Sequence, residues 1–395
     1  MTRKSQIVTL LILLLTVREG AALHAQALFE ETDVFVGGQD DINTYRIPSL
    51  ICTRNGTLLA FSEGRKEVAS DGGPTDLVLK RSLGNGSEWT PSGSPGHTND
   101  GRSRVRNMMW LPMQTLIHST HGEAYMNPVP LIDRANGTIY LLVNLYPPPY
   151  ADAPADIWLL KSMDEGATWS SPIDITASVG RHELSPGDGI QLRSGKLMIP
   201  VYDGVIFSDD HGNRWKAGGR TAGVANEAQV VELVDGSLIF NMRGKPNRLV
   251  MKSEDRGQNW SAPKPDPNLP DADFQGSLIR LSRMDAGYSR NRLLFANPVG
   301  NIDPAKAEGS DPRGRFNITV RVSYDEGKTW PVAKVVRKGP GAYSSMTVFP
   351  DGSIGILYET GDTYNGIVDH YGKLVCARFN LEWLTDGKDP LEKRD

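Results

Sequence analysis

Four copies of Ser-x-Asp-x-Gly-x-x-Trp punctuate this chain, at Ser162 to Trp169, Ser208 to Trp215, Ser253 to Trp260 and Ser323 to Trp330. A fifth, degenerate copy runs from Ser82 to Trp89 with Gly84 in place of the aspartate. Asp-x-Gly supplies a side chain that can bond its own backbone and a residue that tolerates positive φ, so each copy reads as a tight hairpin turn pinned by a tryptophan. A supersecondary unit that recurs in this way dictates the whole fold.

A second turn alternates with the first. Asn55-Gly56, Asn136-Gly137, Ser194-Gly195, Asp235-Gly236 and Asp351-Gly352 each precede an apolar, strand-like run, and a looser sixth member spans Leu278 to Leu294. Asn-Gly and Asp-Gly between such runs are strong hairpin signals. One unit is therefore strand A, Asn-Gly-type turn, strand B, loop, strand C, Asp-x-Gly turn, strand D. Six units predict an all-β fold, a six-bladed β-propeller of four-stranded antiparallel blades, in which an N-terminal strand near Val34 to Gly37 completes the boxless last blade. A long β-sandwich would not require the two turns in fixed alternation. The stretch from Glu88 to Glu123 belongs to neither repeat and is read as an excursion between blades 1 and 2 that overhangs the site.

Composition narrows the functions. A net charge of -4, with charged residues at 23% and no basic run, excludes a nucleic-acid stripe and a membrane-surface patch. Arg3 and Lys4, the apolar run Ile7 to Val17 and the small-residue segment ending at Ala27 have the order of a secretory signal peptide, which predicts residues 1–27 as signal and 28–395 as one exported domain, secreted or periplasmic, without a membrane span in the mature chain. Cys52 and Cys376 are too few for a disulfide framework, so they read as buried thiols, with a bond between them as the alternative. The seven histidines lack metal-ligand spacing, so neither a metal nor another cofactor is expected.

The two turns also act as a ruler. Because strands alternate direction, both turns lie at one end of every blade, and residues about seven to ten positions away reach the other end. Arg46 lies ten before Gly56 and Glu63 seven after it; Glu227 lies nine before Gly236 and Arg243 seven after it. Tyr343 lies nine before Gly352 and Glu359 seven after it, while Arg315 lies eight before Ser323. Asp71 follows on the loop after Glu63, with Glu67 and Asp76 as rival carboxylates; Asn127 and Asp133 are assigned to the pocket wall from blade 2. Three guanidiniums aimed at one mouth would repel one another without a ligand, and their natural joint use is bidentate capture of an anion such as a carboxylate.

At these residues the chain resembles the exo-α-sialidase (neuraminidase) family of the secreted bacterial type. The resemblance rests on Tyr45-Arg46-Ile47-Pro48, the four boxes, Asn226-Glu227, Asn241-Met-Arg243-Gly, Arg315-Phe-Asn-Ile-Thr-Val-Arg, Tyr343-Ser-Ser and Leu357-Tyr-Glu359, and covers nearly all of the chain after the signal. It implies that Arg46, Arg243 and Arg315 clamp the carboxylate of a sialic acid, that Tyr343 is the nucleophile with Glu227 as its base, that Asp71 is the acid/base, and that Glu359 holds Arg46. Glu63 would be a second support for Arg46. The implied protein is a monomer acting on sialylated glycans with retention of configuration. A trans-sialidase, a relative preferring a deaminated sialic acid, and a catalytically idle sialic acid-binding propeller are the alternatives.

Overall fold

The computed structural model describes residues 26–83, 108–148, 155–221, 226–300, 314–364 and 367–394. The expected signal segment as far as residue 25 and the part of the degenerate box from residue 84 on lie outside the described residues.

The chain is a β-propeller of antiparallel sheets. Two sheets are separate and four-stranded: Ile190–Gln191, Leu197–Val201, Gly204–Ser208 and Lys216–Arg220, then Ala228–Glu232, Leu238–Met242, Asn247–Ser253 and Lys264–Pro270. A larger sheet carries Thr44–Cys52, Leu58–Arg65 and Thr75–Ser82 on one side and Ala124–Ile132, Ile139–Tyr146, Asp156–Ser162 and Ile173–Asp174 on the other. One parallel pair, Thr75 with Ala124, joins its halves. In a seven-stranded sheet, the strand Val332–Val348 pairs through 332–340 with Phe316–Ser323 and through 341–348 with Ile354–Thr360, so it ends one blade and begins the next.

Closure is radial. The strand Thr44–Cys52 touches Ala124–Ile132, which touches Ile190–Gln191; contact continues from Leu197–Val201 to Ala228–Glu232, to Ser277–Ser282 and to Val332–Val348, which returns to Thr44–Cys52. Side chains from facing sheets fill the space between them, as where Ile51, Leu59 and Phe61 meet Tyr125, Leu141 and Val143. Strands covered on both faces need apolar side chains in both phases, and eight of the nine residues of Thr44–Cys52 are buried. The strand Phe29–Val36 pairs with Lys373–Phe379, with Asp33 opposite Val375, and so supplies the outer strand of that blade.

The Ser-x-Asp-x-Gly turns are built as their chemistry suggests. Ser162 Oγ accepts from Gly166 N and donates to Asp164 Oδ1, which also accepts from Thr168 N, all at 2.9 Å. Both turn-tip residues are left-handed, Glu165 at φ 57° and Gly166 at φ 75°, the twist that suits a hairpin. A Cβ on Gly166 would lie 2.1 Å from Leu59 Cδ2 of the preceding sheet, which is a second reason for glycine there. Trp169 and Trp215 pack on Phe61 and Tyr140 of the preceding sheet, whereas Trp260 and Trp330 pack on Phe240 and Phe295 of their own.

The segment between Glu88 and Glu123 corrects the expectation of a simple excursion. Gln114–Ile117 pairs with Thr75–Ser82 and supplies an outer strand there, far along the sequence from the strand it covers. Met108, Trp110 and Met113 pack against the core formed by Tyr45, Leu58 and Cys376. Cys52 and Cys376 are both free thiols.

Candidate active site

In every sheet the A strand begins, and the B strand ends, at the face away from the two repeated turns. Local backbone there is unusual. Ile47, Asn127, Glu227, Asp273 and Asn317 all have left-handed φ, at 57°, 55°, 38°, 77° and 60°. A β-branched residue such as Ile47 rarely adopts this region, and strain of this kind persists only where surrounding contacts impose it.

Arg46 and Glu359 form a buried pair. Arg46 Nε and Nη2 donate to the two carboxylate oxygens at 3.0 and 3.3 Å, and Glu359 also accepts from the backbone N–H of Ile47 and of Tyr343 at 2.9 and 3.0 Å. Burial pushes the Glu359 carboxyl up, but the Arg46 guanidinium and these hydrogen bonds outweigh it and hold the group below the usual glutamate range. The Glu359 carboxylate therefore orients the first arginine and, through the Tyr343 backbone, the tyrosine.

Tyr343 donates its phenolic hydrogen to Glu227 Oε1 in a short hydrogen bond. Arg243 Nη1 donates to Glu227 Oε2 at 2.8 Å and to the Tyr343 oxygen at 3.3 Å, and its Nε donates to Asp273 at 2.8 Å. Burial and the negative charge of Glu227 raise the Tyr343 phenol well above its ordinary value, against Arg46 and Arg243, so it rests as the neutral phenol.

Arg315 differs from the other two arginines. Its Nη1 donates to Tyr371 Oη at 2.5 Å, its guanidinium lies 4.7 Å from the Phe274 ring centre, and its buried Nε has no hydrogen-bond partner. Among the described residues no carboxylate pairs with it. Arg46 stacks on the same Tyr371, 4.0 Å from its ring centre. Arg46 is held by Glu359 and Arg243 by Glu227 and Asp273, which leaves the Arg315 guanidinium as the one of the three without a carboxylate among the described residues and so the natural seat for an incoming anion.

The carboxylates after the first A–B hairpin lie on one side of this group. Glu63 pairs with Arg65 at 2.6 Å and accepts from Asn127 N at 2.9 Å, which corrects the expectation that it supports Arg46. Its backbone lies opposite Arg46, but its carboxylate points to the nearer guanidinium of Arg65. Asp71 is exposed, at 76%, and pairs with the same Arg65 at 2.7 Å. The rival Asp76 is buried and engaged by Lys66 at 2.9 Å and by Ser119 N at 2.7 Å.

Asn127 is on the site face, where its Nδ2 donates to Glu183 at 2.6 Å. Asp133 is not. It lies in the turn before Gly137, on the opposite face, and its buried carboxylate pairs with His211 at 2.7 Å and accepts from Gln191 at 2.8 Å. Four residues from the turn glycine is too short a distance to reach the site, so Asp133 lies away from the pocket, contrary to expectation.

Several residues were missed, Tyr146 among them although it lies nine after Gly137 and so within the ruler's reach. Tyr146 donates a short hydrogen bond to Glu183, whose carboxyl is raised by burial and by the charges of Glu63 and Asp71. Tyr202 stands close enough to Glu227, Tyr343, Glu183 and Tyr146 that, with burial, its phenol is raised well above its ordinary value. Tyr202 and Tyr371 lie in B–C loops, and Glu183 and Asp273 lie in connections from one sheet to the next. Both kinds of connection open on the site face, so including them in the ruler would have exposed all four.

A cavity of about 890 Å³ opens on the other face, lined by Arg54, Arg134, Asp188 and Gln191 among others. None of the residues that surround Tyr343 line it.

Residues 56–356 match the BNR repeat-like domain family. The chain is 30% identical over 380 residues to an exo-alpha-sialidase of Aspergillus fumigatus, covering 87% of this chain and 86% of that protein. It is 32% identical over 394 residues to a sialidase of Micromonospora viridifaciens, covering 91% of this chain but only 55% of that longer protein. Among solved structures, the Hadza microbial sialidase Hz136 superposes with a TM-score of 0.70 at 25% identity, over 90% of this chain and 69% of that one.

Proposed function

The chain belongs to the sialidase family of BNR-repeat propellers, and from that premise we propose that it is an exo-α-sialidase releasing terminal sialic acid from glycoconjugates with retention of configuration. The observation that carries the reading is the hydrogen bond from Tyr343 to Glu227 beside Arg46, Arg243 and Arg315.

The anomeric carbon of a sialoside bears a carboxylate. An anionic nucleophile would approach it against like charge, whereas a phenol that loses its proton to Glu227 during attack avoids that penalty. Arg315, with Arg46 and Arg243, binds and orients the carboxylate, and placing the reacting carbon against Tyr343 Oη converts a bimolecular step into a positioned one. Asp71, exposed at the mouth, protonates the departing glycosidic oxygen, and then deprotonates the water that hydrolyses the tyrosyl-glycosyl intermediate. Glu359 serves as a support for Arg46, and Asn127 as a contact in the wall.

The wider reading follows the sequence. Residues 1–27 are an export signal, residues 28–395 form one propeller domain, the ring of first strands supports a count of six blades, and the exported protein is a monomer. No helix among the described residues is long and apolar enough to cross a membrane.

The test is turnover of a fluorogenic α-sialoside by the purified protein, followed by NMR of the first product. Release of the α anomer supports the reading. A folded protein that releases no sialic acid overturns it, and release of the β anomer overturns the retaining mechanism.

A further inference from the structure

The two carboxylates that hold Arg243 both rest on strained backbone, Glu227 at φ 38° and Asp273 at φ 77°. Left-handed residues other than glycine cost on the order of 1–3 kcal/mol each and survive only where neighbours over-determine them. Directly behind them lies Arg248, a side chain with no exposed surface. Its Nε donates to Asn241 Oδ1 and its Nη1 to Asp271 Oδ2, both at 2.8 Å, with a further short bond from Nη1 to the carbonyl of Phe274. Its Nη2 reaches the carbonyls of Asn241 at 3.4 Å and Glu227 at 3.5 Å. Asp271 in turn accepts from the backbone N–H of Gly244 and of Phe274, both at 3.1 Å.

Arg248 and its partner Asp271 thus tie together Glu227, the 241–244 segment that carries Arg243, and the 271–274 loop that carries Asp273 and Phe274. The Phe274 ring lies 4.7 Å from the Arg315 guanidinium and 6.0 Å from that of Arg243. We infer that Arg248 is a positioning residue for the reaction, acting from the interior to hold Glu227, Arg243 and the Phe274 platform in register with Tyr343. The inference rests on the sialidase reading.

A structural role alone accounts poorly for a charge at this place. Desolvating two ions offsets most of their attraction, and replacing a buried pair by neutral groups of similar size is often neutral or stabilising. The fork of Arg248 instead supplies directional donors to three segments at once, which an apolar side chain or a lysine does not.

The test separates fold from register. Arg248→Met/Asp271→Asn removes both charges while leaving an amide oxygen at 271 to accept from Gly244 or Phe274. Melting temperature, kcat and KM are measured beside the wild type, together with the 19F resonance of 3-fluorotyrosine placed at position 343. The expected result is a melting temperature near that of the wild type, kcat lowered about 100-fold, the size of effect that a displacement near 1 Å produces, and a shifted resonance. A kcat within about threefold of wild type overturns the inference, because misplacement of the reacting groups would cost far more. A 19F resonance at the wild-type position also overturns it, whether or not the wild type turns over sialosides. Should the double variant not fold, Arg248→Lys, which keeps the charge and loses the fork, decides on the same two readouts. Inactivity of the wild type itself would count against the sialidase reading instead.

Discussion

The Tyr343 hydroxyl and the Glu227 carboxylate, 116 residues apart in sequence, share a short hydrogen bond in which the phenol is the donor. The other oxygen of Glu227 accepts from Arg243 at 2.8 Å. The carboxylate is thus held with one oxygen toward the phenol whose proton it would take, and a guanidinium stands beside both groups.

Glu227→Gln keeps the shape of that contact but removes the base, so kcat should fall by roughly 10²–10⁴-fold, the range for loss of a general base. Tyr343→Phe should fall at least as far. Sialoside binding by either variant, followed calorimetrically, should change much less than kcat; wild-type turnover in Tyr343→Phe would remove the tyrosine from the mechanism.

Arg315 is buried, unpaired with any carboxylate among the described residues, and carries an unsatisfied Nε. Arg315→Met should therefore leave the melting temperature equal to or above that of the wild type, since an uncompensated buried charge disappears. The same change should cost about 2–5 kcal/mol in kcat/KM, as expected for truncating one partner of a desolvated charge pair. Paired thermal melts and steady-state kinetics check both signs together.

Glu359 titrates below the ordinary range in the folded protein because Arg46 and two backbone N–H groups favour its charged form over the penalty of burial. A depressed carboxylate contributes stability that is complete above the unfolded value and is lost as pH falls through the folded one. Glu359→Gln leaves Arg46 buried without its counter-charge and should cost about 3–5 kcal/mol at pH 7. The gap in melting temperature between variant and wild type should narrow as pH drops below about 4, near the ordinary glutamate value. A gap that does not depend on pH would contradict the ion-pair account.

Asp188 gives the opposite sign. Asp188 lines the cavity on the turn face and accepts from Ser49 Oγ at 2.7 Å and Ser345 Oγ at 3.1 Å, and burial pushes its carboxyl up to about 7 against those hydrogen bonds. A raised carboxylate favours the folded state fully below its unfolded value, near 3.9, and that advantage is lost as pH rises through the folded value. Asp188→Asn should accordingly gain on the wild type between about pH 4 and 7 and hold the gain above it. The shift should be on the order of a few degrees in melting temperature, reduced by the solvent access of the cavity. Melts at pH 4 and pH 8 that show the same difference would rule this out.

How much was readable in advance differs from residue to residue. The boxes and Asn-Gly turns are local: their side chains bond backbone within four residues, as Asp164 does with Thr168, so their pattern survives in one dimension. Strand length then carried Arg46, Glu227, Arg243, Arg315, Tyr343 and Glu359 to one face. Loops do not obey that ruler. Tyr202, Glu183 and Tyr371 reach the site through connections whose paths depend on what they pack against, and Gln114–Ile117 found its place as an outer strand only because the edge of Thr75–Ser82 was open.

By itself the sequence determined the periodic scaffold, because hairpin turns and apolar strands are specified by neighbouring residues. It also determined which end of each strand would carry arginines and carboxylates. Tertiary structure alone decided how those charges are shared. Glu63 turned to Arg65 and not to Arg46, Asp133 was drawn to His211 on the far face, Glu227 and Asp273 were bent into left-handed backbone around Arg243, and Arg315 was left without a counter-ion among the described residues. Charge pairing depends on distance and burial in three dimensions, falls off steeply with both, and leaves no periodic trace along the chain.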